Sequence, residues 1–214
     1  MQSLRVLVLI LLTVPAMAQI EPRLFEFGPT AGLNLSRVSP TDTFSYDQKS
    51  KFGLKGGIFT RFNYGKFSLQ PEFIYQAKGS NLSKPVNGTH TYRYLTTPIL
   101  IGYSPLKHIY LEAGYERAWA LNKLNETPVA GKPYGPGQGK DQSLIFGARV
   151  NLLDMFSLFS VNFRYVHGLD NVTDLKVNNL PLNFSNRSFQ IGASYTFSEQ
   201  YLWNKKFGPK KKKN

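Results

Sequence analysis

Strict alternation of apolar and polar residues is the feature that most constrains the fold of this chain. In SFQIGASYTF, residues 188–197, Phe189 and Ile191 fall on one face and Gln190 falls on the other. A period of two over ten residues indicates a β-strand with one apolar face. No stretch shows the 3.6-residue period of an amphipathic helix. Eight alternating segments occur, at residues 24–35, 51–63, 66–78, 92–103, 109–120, 143–151, 156–167 and 187–197.

The connections between these segments alternate in length. Residues 64–65, 104–108 and 152–155 are short turns, whereas the other four connections are long and rich in Asn, Pro, Gly, Ser and Thr: residues 36–50, 79–91, 121–142 and 168–186. Strands of this length with short turns at one end and long loops at the other are typical of outer-membrane barrels. The sequence predicts an all-β fold, an eight-stranded antiparallel up-and-down transmembrane β-barrel with both termini at the short-turn, periplasmic end.

The two faces of each predicted strand indicate which side meets lipid. Phe67 and Leu69 share a face of the third segment, and Gln70 and Glu72 share the other. A secreted, soluble lipid-binding barrel would place the apolar face inside, and it is kept as an alternative. We favour lipid outside, because aromatic residues gather near strand ends, where a membrane girdle lies. The candidate girdle residues are Tyr92, Tyr94, Tyr103, Trp119, Tyr165 and Phe197.

The first 20 residues, MQSLRVLVLILLTVPAMAQI, have the pattern of a secretory signal peptide. Arg5 precedes a short apolar run, and an A-x-A cleavage site ends at Ala18. We therefore expect a signal peptide at 1–18, a barrel domain at 19–197 and a basic periplasmic tail at 198–214, in the outer membrane of a Gram-negative bacterium. The predicted anion contacts of the tail are Lys205, Lys206, Lys210 and Lys211.

Five segments together resemble the PorT-type outer-membrane β-barrel family of Bacteroidota. They are FGPTAGLNLS at 27–36, TTPILIGY at 96–103, IYLEAGYERA at 109–118, FRYVHGLDNV at 163–172 and NRSFQIGASYTF at 186–197. The resemblance covers nearly the whole mature chain and implies a small, eight-stranded barrel of OmpA-like architecture. The resemblance implies little about function. The founding member is linked to protein secretion and gliding, and a role as an accessory component of protein secretion is kept only as an alternative function.

Charged residues on the polar faces are predicted to fill the lumen. An eight-stranded barrel is just wide enough for side chains to fill it, and an unpaired buried charge is costly. We therefore predict a plugged, salt-bridged interior; the alternative is a narrow path that makes the protein a small, porin-like channel for ions or solutes. The predicted network comprises Glu72, Glu112, Glu116, Arg149 and Arg164, and the same faces carry Glu26, Lys55, Arg61 and Lys78.

Signals for catalysis or cofactor binding are weak. The chain has no cysteine, no metal-ligand spacing, no nucleic-acid module and no phosphate-binding loop, since GKPYGPGQGK at 131–140 lacks the required order. A rim hydrolase built on His167, with Asp170, Asp174 and Ser185 close by, is the one catalytic alternative. We predict that the protein is not an enzyme and uses no cofactor.

The predicted function is a closed scaffold that displays extracellular loops for binding or envelope structure, since recognition usually lies in loops on a rigid mount. Tyr134, in the longest loop, is the predicted contact residue. The expected partners are outer-membrane lipid, the barrel-assembly machinery during insertion, and an unidentified protein or cell-wall polymer, without nucleic acid.

Overall fold

The long strands form a single closed wall. A computed structural model describes residues 24–40, 47–84, 88–122, 136–152, 158–173, 176–177, 180–181 and 183–198. Within them the strands are β1 (Phe25–Pro40), β2 (Asp47–Tyr64), β3 (Phe67–Lys84), β4 (Gly88–Leu106), β5 (Ile109–Ala120), β6 (Lys140–Asn151), β7 (Phe159–Gly168), β8 (Lys176–Val177), β9 (Leu180–Pro181), β10 (Phe184–Tyr195) and β11 (Phe197–Ser198). None of the described residues belongs to a helix long and apolar enough to cross a membrane.

Closure occurs between the first and last long strands. From β1 to β7 each strand pairs antiparallel with the next, β7 pairs with β10, and β10 pairs with β1. β11 extends the line of β10 beyond Thr196 and pairs with β1 at Phe27. β8 and β9 form a separate two-stranded pair. The architecture is a closed eight-stranded antiparallel β-barrel, which confirms the predicted fold class.

Two tight turns define one end of the barrel. β2 turns into β3 at Gly65, with φ 57°, and β4 turns into β5 at His108, with φ 68°. Glycine adopts positive φ without a Cβ clash, which suits the tighter of these connections. We call this the short-turn end and the opposite end the long-loop end.

The first four strands are longer than the alternation predicts. They have 16, 18, 18 and 19 residues and continue at the long-loop end into polar sequence that was predicted to be loop. Backbone pairing holds these extensions: Ser39 lies opposite Ser185, and Asn81 lies opposite Thr89. Ladder hydrogen bonds need no apolar side chains, so a polar extension loses the alternation but remains a strand. β6 and β10 likewise begin three residues earlier than predicted, at Lys140 and Phe184.

The register sets the tilt of the strands. The stagger is found by following directly paired residues around the barrel from Ala31 in both directions until they meet on β5. Through β2, β3 and β4 the paired residues lead to Trp119. Through β10, β7 and β6 they lead to Ile109, ten residues away. This stagger tilts the strands by about 40° from the barrel axis. It also decides which inward side chains meet.

The outward face is apolar and the inward face is polar. On β2, Phe52 and Ile58 are 74% and 60% exposed, whereas Lys55 and Arg61 are buried at 6% and 1%. Such an apolar exterior is unfavourable in water and favourable in hydrocarbon. The arrangement is the reverse of a soluble barrel with an apolar interior, so that alternative is wrong.

Aromatic rings form a belt on the outer wall at the short-turn end. Neighbouring rings have centroids 4.8–5.9 Å apart. The belt consists of Phe25, Phe27, Phe62, Phe67, Tyr103, Phe159, Tyr195 and Phe197. The girdle prediction is wrong for Tyr92 and Tyr94, which are fully buried, because they occupy the inward-facing positions of β4.

Candidate functional site

Charged side chains from six strands converge in the lumen. Among the described residues this lumen set has five acids, Glu26, Glu72, Glu112, Glu116 and Asp141, and five bases, Lys55, Arg61, Lys78, Arg149 and Arg164. Their formal charges cancel. Asp141 is the member that sequence reasoning missed, because the sixth strand was predicted to start at residue 143 and the true start at Lys140 places Asp141 inward.

Arg164 is the centre of the first cluster. Its guanidinium donates to both Glu72 carboxylate oxygens at 2.9 Å, and to Oε2 of Glu112 from Nε at 3.2 Å and Nη2 at 3.1 Å. Nε of Arg149 donates to the other oxygen of Glu112 at 2.8 Å. The cluster therefore ties β3, β5, β6 and β7 together across the lumen through charge-assisted hydrogen bonds.

The same cluster extends to the short-turn end through Arg61. Arg61 donates from Nη1 to Glu26 and from Nε to Gln70, both at 2.5 Å. Gln70 in turn donates to Oε1 of Glu72 at 2.5 Å. Since Glu26 lies on β1, these bonds continue the network onto the strand that closes the barrel.

A second cluster lies nearer the long-loop end. Nζ of Lys78 is 2.8 Å from Oε1 of Glu116 and 3.8 Å from Oδ2 of Asp141. Asn186 donates to the same oxygen of Asp141 at 2.7 Å, and Gln76 donates to Oε2 of Glu116 at 2.9 Å. Two acids and one lysine are thus held by amide donors as well as by charge.

Amide side chains bring Lys55 into the second cluster. Nζ of Lys55 donates to Gln190 at 2.9 Å, and Gln190 donates to Gln76 at 3.0 Å. Lys55 needs space that Gly32 and Gly192 provide, because a Cβ at either position would lie 3.0 or 3.2 Å from Cε of the lysine. Gln190 lies on β10, so hydrogen bonds also connect the lumen set to this strand. The chemical role of the lumen set is to pair and neutralise charge.

An apolar cluster covers the charged lumen at the long-loop end. We call it the cap; it consists of Val38, Tyr92, Tyr94, Ala118, Val172 and Phe184. All of these side chains are at most 1% exposed. Val172 enters from the segment after β7, so part of a long connection folds inward over the barrel mouth.

Asn171 holds the inward fold of that segment. Its amide donates to the carbonyl of Thr173 at 2.9 Å and to Asn183 at 3.1 Å. Its Oδ1 accepts from the backbone N–H of Phe184 at 2.9 Å. The backbone N–H of Val172 donates to the carbonyl of Phe184 at 2.9 Å, which positions the two side chains of the cap together.

Of the residues of the catalytic alternative, the structure describes His167, Asp170 and Ser185. His167 takes an outward-facing position on β7, and its ring is 6.2 Å from that of Tyr165. The hydroxyl of Ser185 is buried and has no hydrogen-bond partner among the described residues. No group of three acids or histidines in the described ranges is placed to hold a metal ion. Asp174 lies outside the described residues.

Other predicted features also lie outside the described residues. These are the signal peptide at 1–18, the loop residue Tyr134, and the tail lysines Lys205, Lys206, Lys210 and Lys211.

Comparison with known proteins identifies the family. Residues 4–197 match the family described as outer membrane protein β-barrel domain. No curated protein matches the sequence. Ail, the attachment invasion locus protein of Yersinia pestis, in complex with the heparin analogue sucrose octasulfate, is 17% identical with a TM-score of 0.46, over 81% of this chain and 99% of Ail.

Two further solved structures are similar. AlkL, determined by solid-state NMR in DMPC bilayers, is 14% identical with a TM-score of 0.43, over 87% of this chain and 96% of AlkL. A de novo designed transmembrane β-barrel is 9% identical with a TM-score of 0.42, over 83% of this chain and 98% of the design. Because the family match spans nearly all of the sequence, the chain belongs to the outer membrane protein β-barrel domain family.

Proposed function

We propose that the protein is a closed, non-conducting outer-membrane barrel that serves as a rigid mount for its long-end loops. The observation that carries this proposal is the occupied lumen: the lumen set is paired or hydrogen-bonded, and the cap lies over it. An ion path needs charges that stay hydrated, whereas Arg164, Glu72 and Glu112 are each less than 8% exposed.

Energetics also favour a static lumen. Opening a path beside Arg164 would break hydrogen bonds to Glu72 and Glu112 and leave charged groups without partners. Breaking one buried ion pair costs about 3–5 kcal/mol. A population of open barrels set by that cost would be below about 1%, since each 1.4 kcal/mol is tenfold.

The loops provide the binding role in this proposal. Four connections leave the barrel at the long-loop end. Residues 36–50 and 79–91 were predicted to be long loops, but strand pairing shortens these connections to 41–46 and 85–87. The long connections are 121–139 and 169–183, and Tyr134 lies in the longer one. Rigid scaffolds commonly carry recognition in such loops. The partner is a protein or cell-wall polymer; the tail lysines add an anion contact on the periplasmic side, and no catalytic step or cofactor is involved. A cleaved signal peptide and insertion by the barrel-assembly machinery belong to the same proposal.

The finer resemblance to the PorT type of Bacteroidota stays a prediction, and with it the alternative role in protein secretion. Recovery of secretion components with the tagged full chain, and their loss when residues 121–139 are replaced by a short Gly-Ser linker, would favour that alternative over simple display.

The conducting state is tested in a planar bilayer. We expect refolded protein, selected by a gel migration that shifts on boiling, to give no steady conductance in 1 M KCl. A 16-stranded porin in the same bilayers is the positive control, since such barrels keep an aqueous channel. Steady, salt-dependent openings of the wild type would replace the closed scaffold with the small channel.

A further inference from the structure

Three basic side chains form a row across the line where the barrel closes. The register places Arg37 of β1 opposite Arg187 of β10, and Arg187 opposite His167 of β7. All three occupy outward-facing positions. On each strand, the residues directly before and after them are buried and face the lumen. We call Arg37, Arg187 and His167 the seam row.

Among the described residues, no carboxylate forms an ion pair with the seam row. Like charges directly opposite each other on neighbouring strands are destabilising. Within the part of the chain that the structure describes, neither Arg37 nor Arg187 takes part in an ion pair. Nε of Arg187 is buried and has no hydrogen-bond partner. Two adjacent guanidiniums in this state provide a site for an anion from outside the chain.

An apolar groove of about 620 Å³ begins directly below the seam row on the same outer wall. The two outward rows next to the seam row line it, so the groove and the basic row are continuous. These rows are Leu35, Phe189 and Tyr165, and then Leu33, Ile191 and Phe163.

The seam row lies at the height of lipid headgroups. Arg37 is ten residues beyond Phe27, which belongs to the aromatic belt on the same strand. At about 3.3 Å per residue and a tilt of about 40°, this separation is about 25 Å along the barrel axis. That distance equals the height of the apolar band of outer-membrane barrels.

We propose that the seam row and the groove together bind one phosphate-bearing lipid of the leaflet at the long-loop end. The phosphate lies between Arg37 and Arg187, because guanidiniums bind phosphate oxygens in a two-pronged geometry. An acyl chain of the same lipid occupies the groove. The lipid thus neutralises the like charges and fills the apolar surface on which β1 and β10 meet.

Phosphate binding by the seam row is tested by native mass spectrometry of the refolded full chain mixed with diphosphoryl lipid A in detergent. We expect R37Q/R187Q to lower the bound fraction at least tenfold. The control variant R93Q/R117Q removes two exposed, outward-facing charges from the opposite wall. It should change the lipid-bound fraction less than twofold. Equal losses in the two pairs would mean general charge attraction and would overturn the site.

Binding of the acyl chain in the groove is tested with a separate variant. Ala148 lines the groove, so A148F should fill it and lower lipid A binding at least fivefold, whereas A113F on the exposed opposite wall should not. Unchanged binding by A148F, or displacement of lipid A by equimolar inorganic phosphate, would reduce the site to a free-anion contact and overturn the lipid assignment. Only protein whose gel migration shifts on boiling is measured, and R187Q alone replaces the double variant if that variant does not fold.

Discussion

Replacing Arg164 by methionine should destabilise the barrel more than any exposed arginine replacement. The side chain donates four hydrogen bonds, two to Glu72 and two to Glu112. Without it Glu72 keeps Gln70 as a partner and Glu112 keeps Arg149, so each carboxylate is only partly compensated. Removing one member of a buried charge pair costs about 3–5 kcal/mol, which is the expected loss in the free energy of unfolding.

The assay is equilibrium urea unfolding of the barrel in lipid vesicles, followed by tryptophan fluorescence and by gel migration. Arg93→Met is the matched control, because Arg93 is exposed on the outer wall, and its expected effect is within about 0.5 kcal/mol. Glu72→Gln should lower the free energy of unfolding less in the Arg164→Met variant than in the wild type. The difference, which is the coupling free energy of the two side chains, should be about 1–3 kcal/mol.

Two results would refute this reasoning. If Arg164→Met cost no more than Arg93→Met, the central cluster would contribute nothing to stability. If the effects of the Arg164 and Glu72 replacements were simply additive, the 2.9 Å contacts between these side chains would not be an energetic unit.

Three further results are expected. Gly32→Val should abolish the gel shift on boiling, because a Cβ there would lie 2.7 Å from a backbone atom of the opposite strand. Glu116→Gln should lower the free energy of unfolding by about 3 kcal/mol and Asp141→Asn by about 1 kcal/mol, since Lys78 lies 2.8 Å from the first carboxylate and 3.8 Å from the second; equal losses would contradict this order. Asn171→Ala should increase proteolysis between β7 and β10 in intact vesicles, because it removes the bonds that fold this segment inward; an unchanged digestion pattern would argue against that role.

The alternation along each strand was sufficient to place most charged residues on the inward face. Successive side chains of a strand point to opposite faces whatever the residues are, so Glu72 and Arg164 could be assigned to the interior from the sequence. Their pairing could not be predicted, because the two residues are 92 positions apart and meet only through the stagger of the closed wall. Asp141 was missed because it precedes the predicted start of the sixth strand. Tyr92 and Tyr94 were misplaced because they were assigned to the girdle by their position near a predicted strand end and not by the alternation, which places them inward with Thr96.

By itself the sequence determined the strands, their two faces and the apolar exterior, because a period of two is a local property of the extended backbone. The tertiary structure alone decided how β1 meets β10, which brings Arg37 beside Arg187 and lets Val172 and Phe184 complete the cap. Closure is non-local: it pairs strands at opposite ends of the chain so that no edge is left without backbone partners, and no periodicity along one strand encodes which residue of another strand lies opposite.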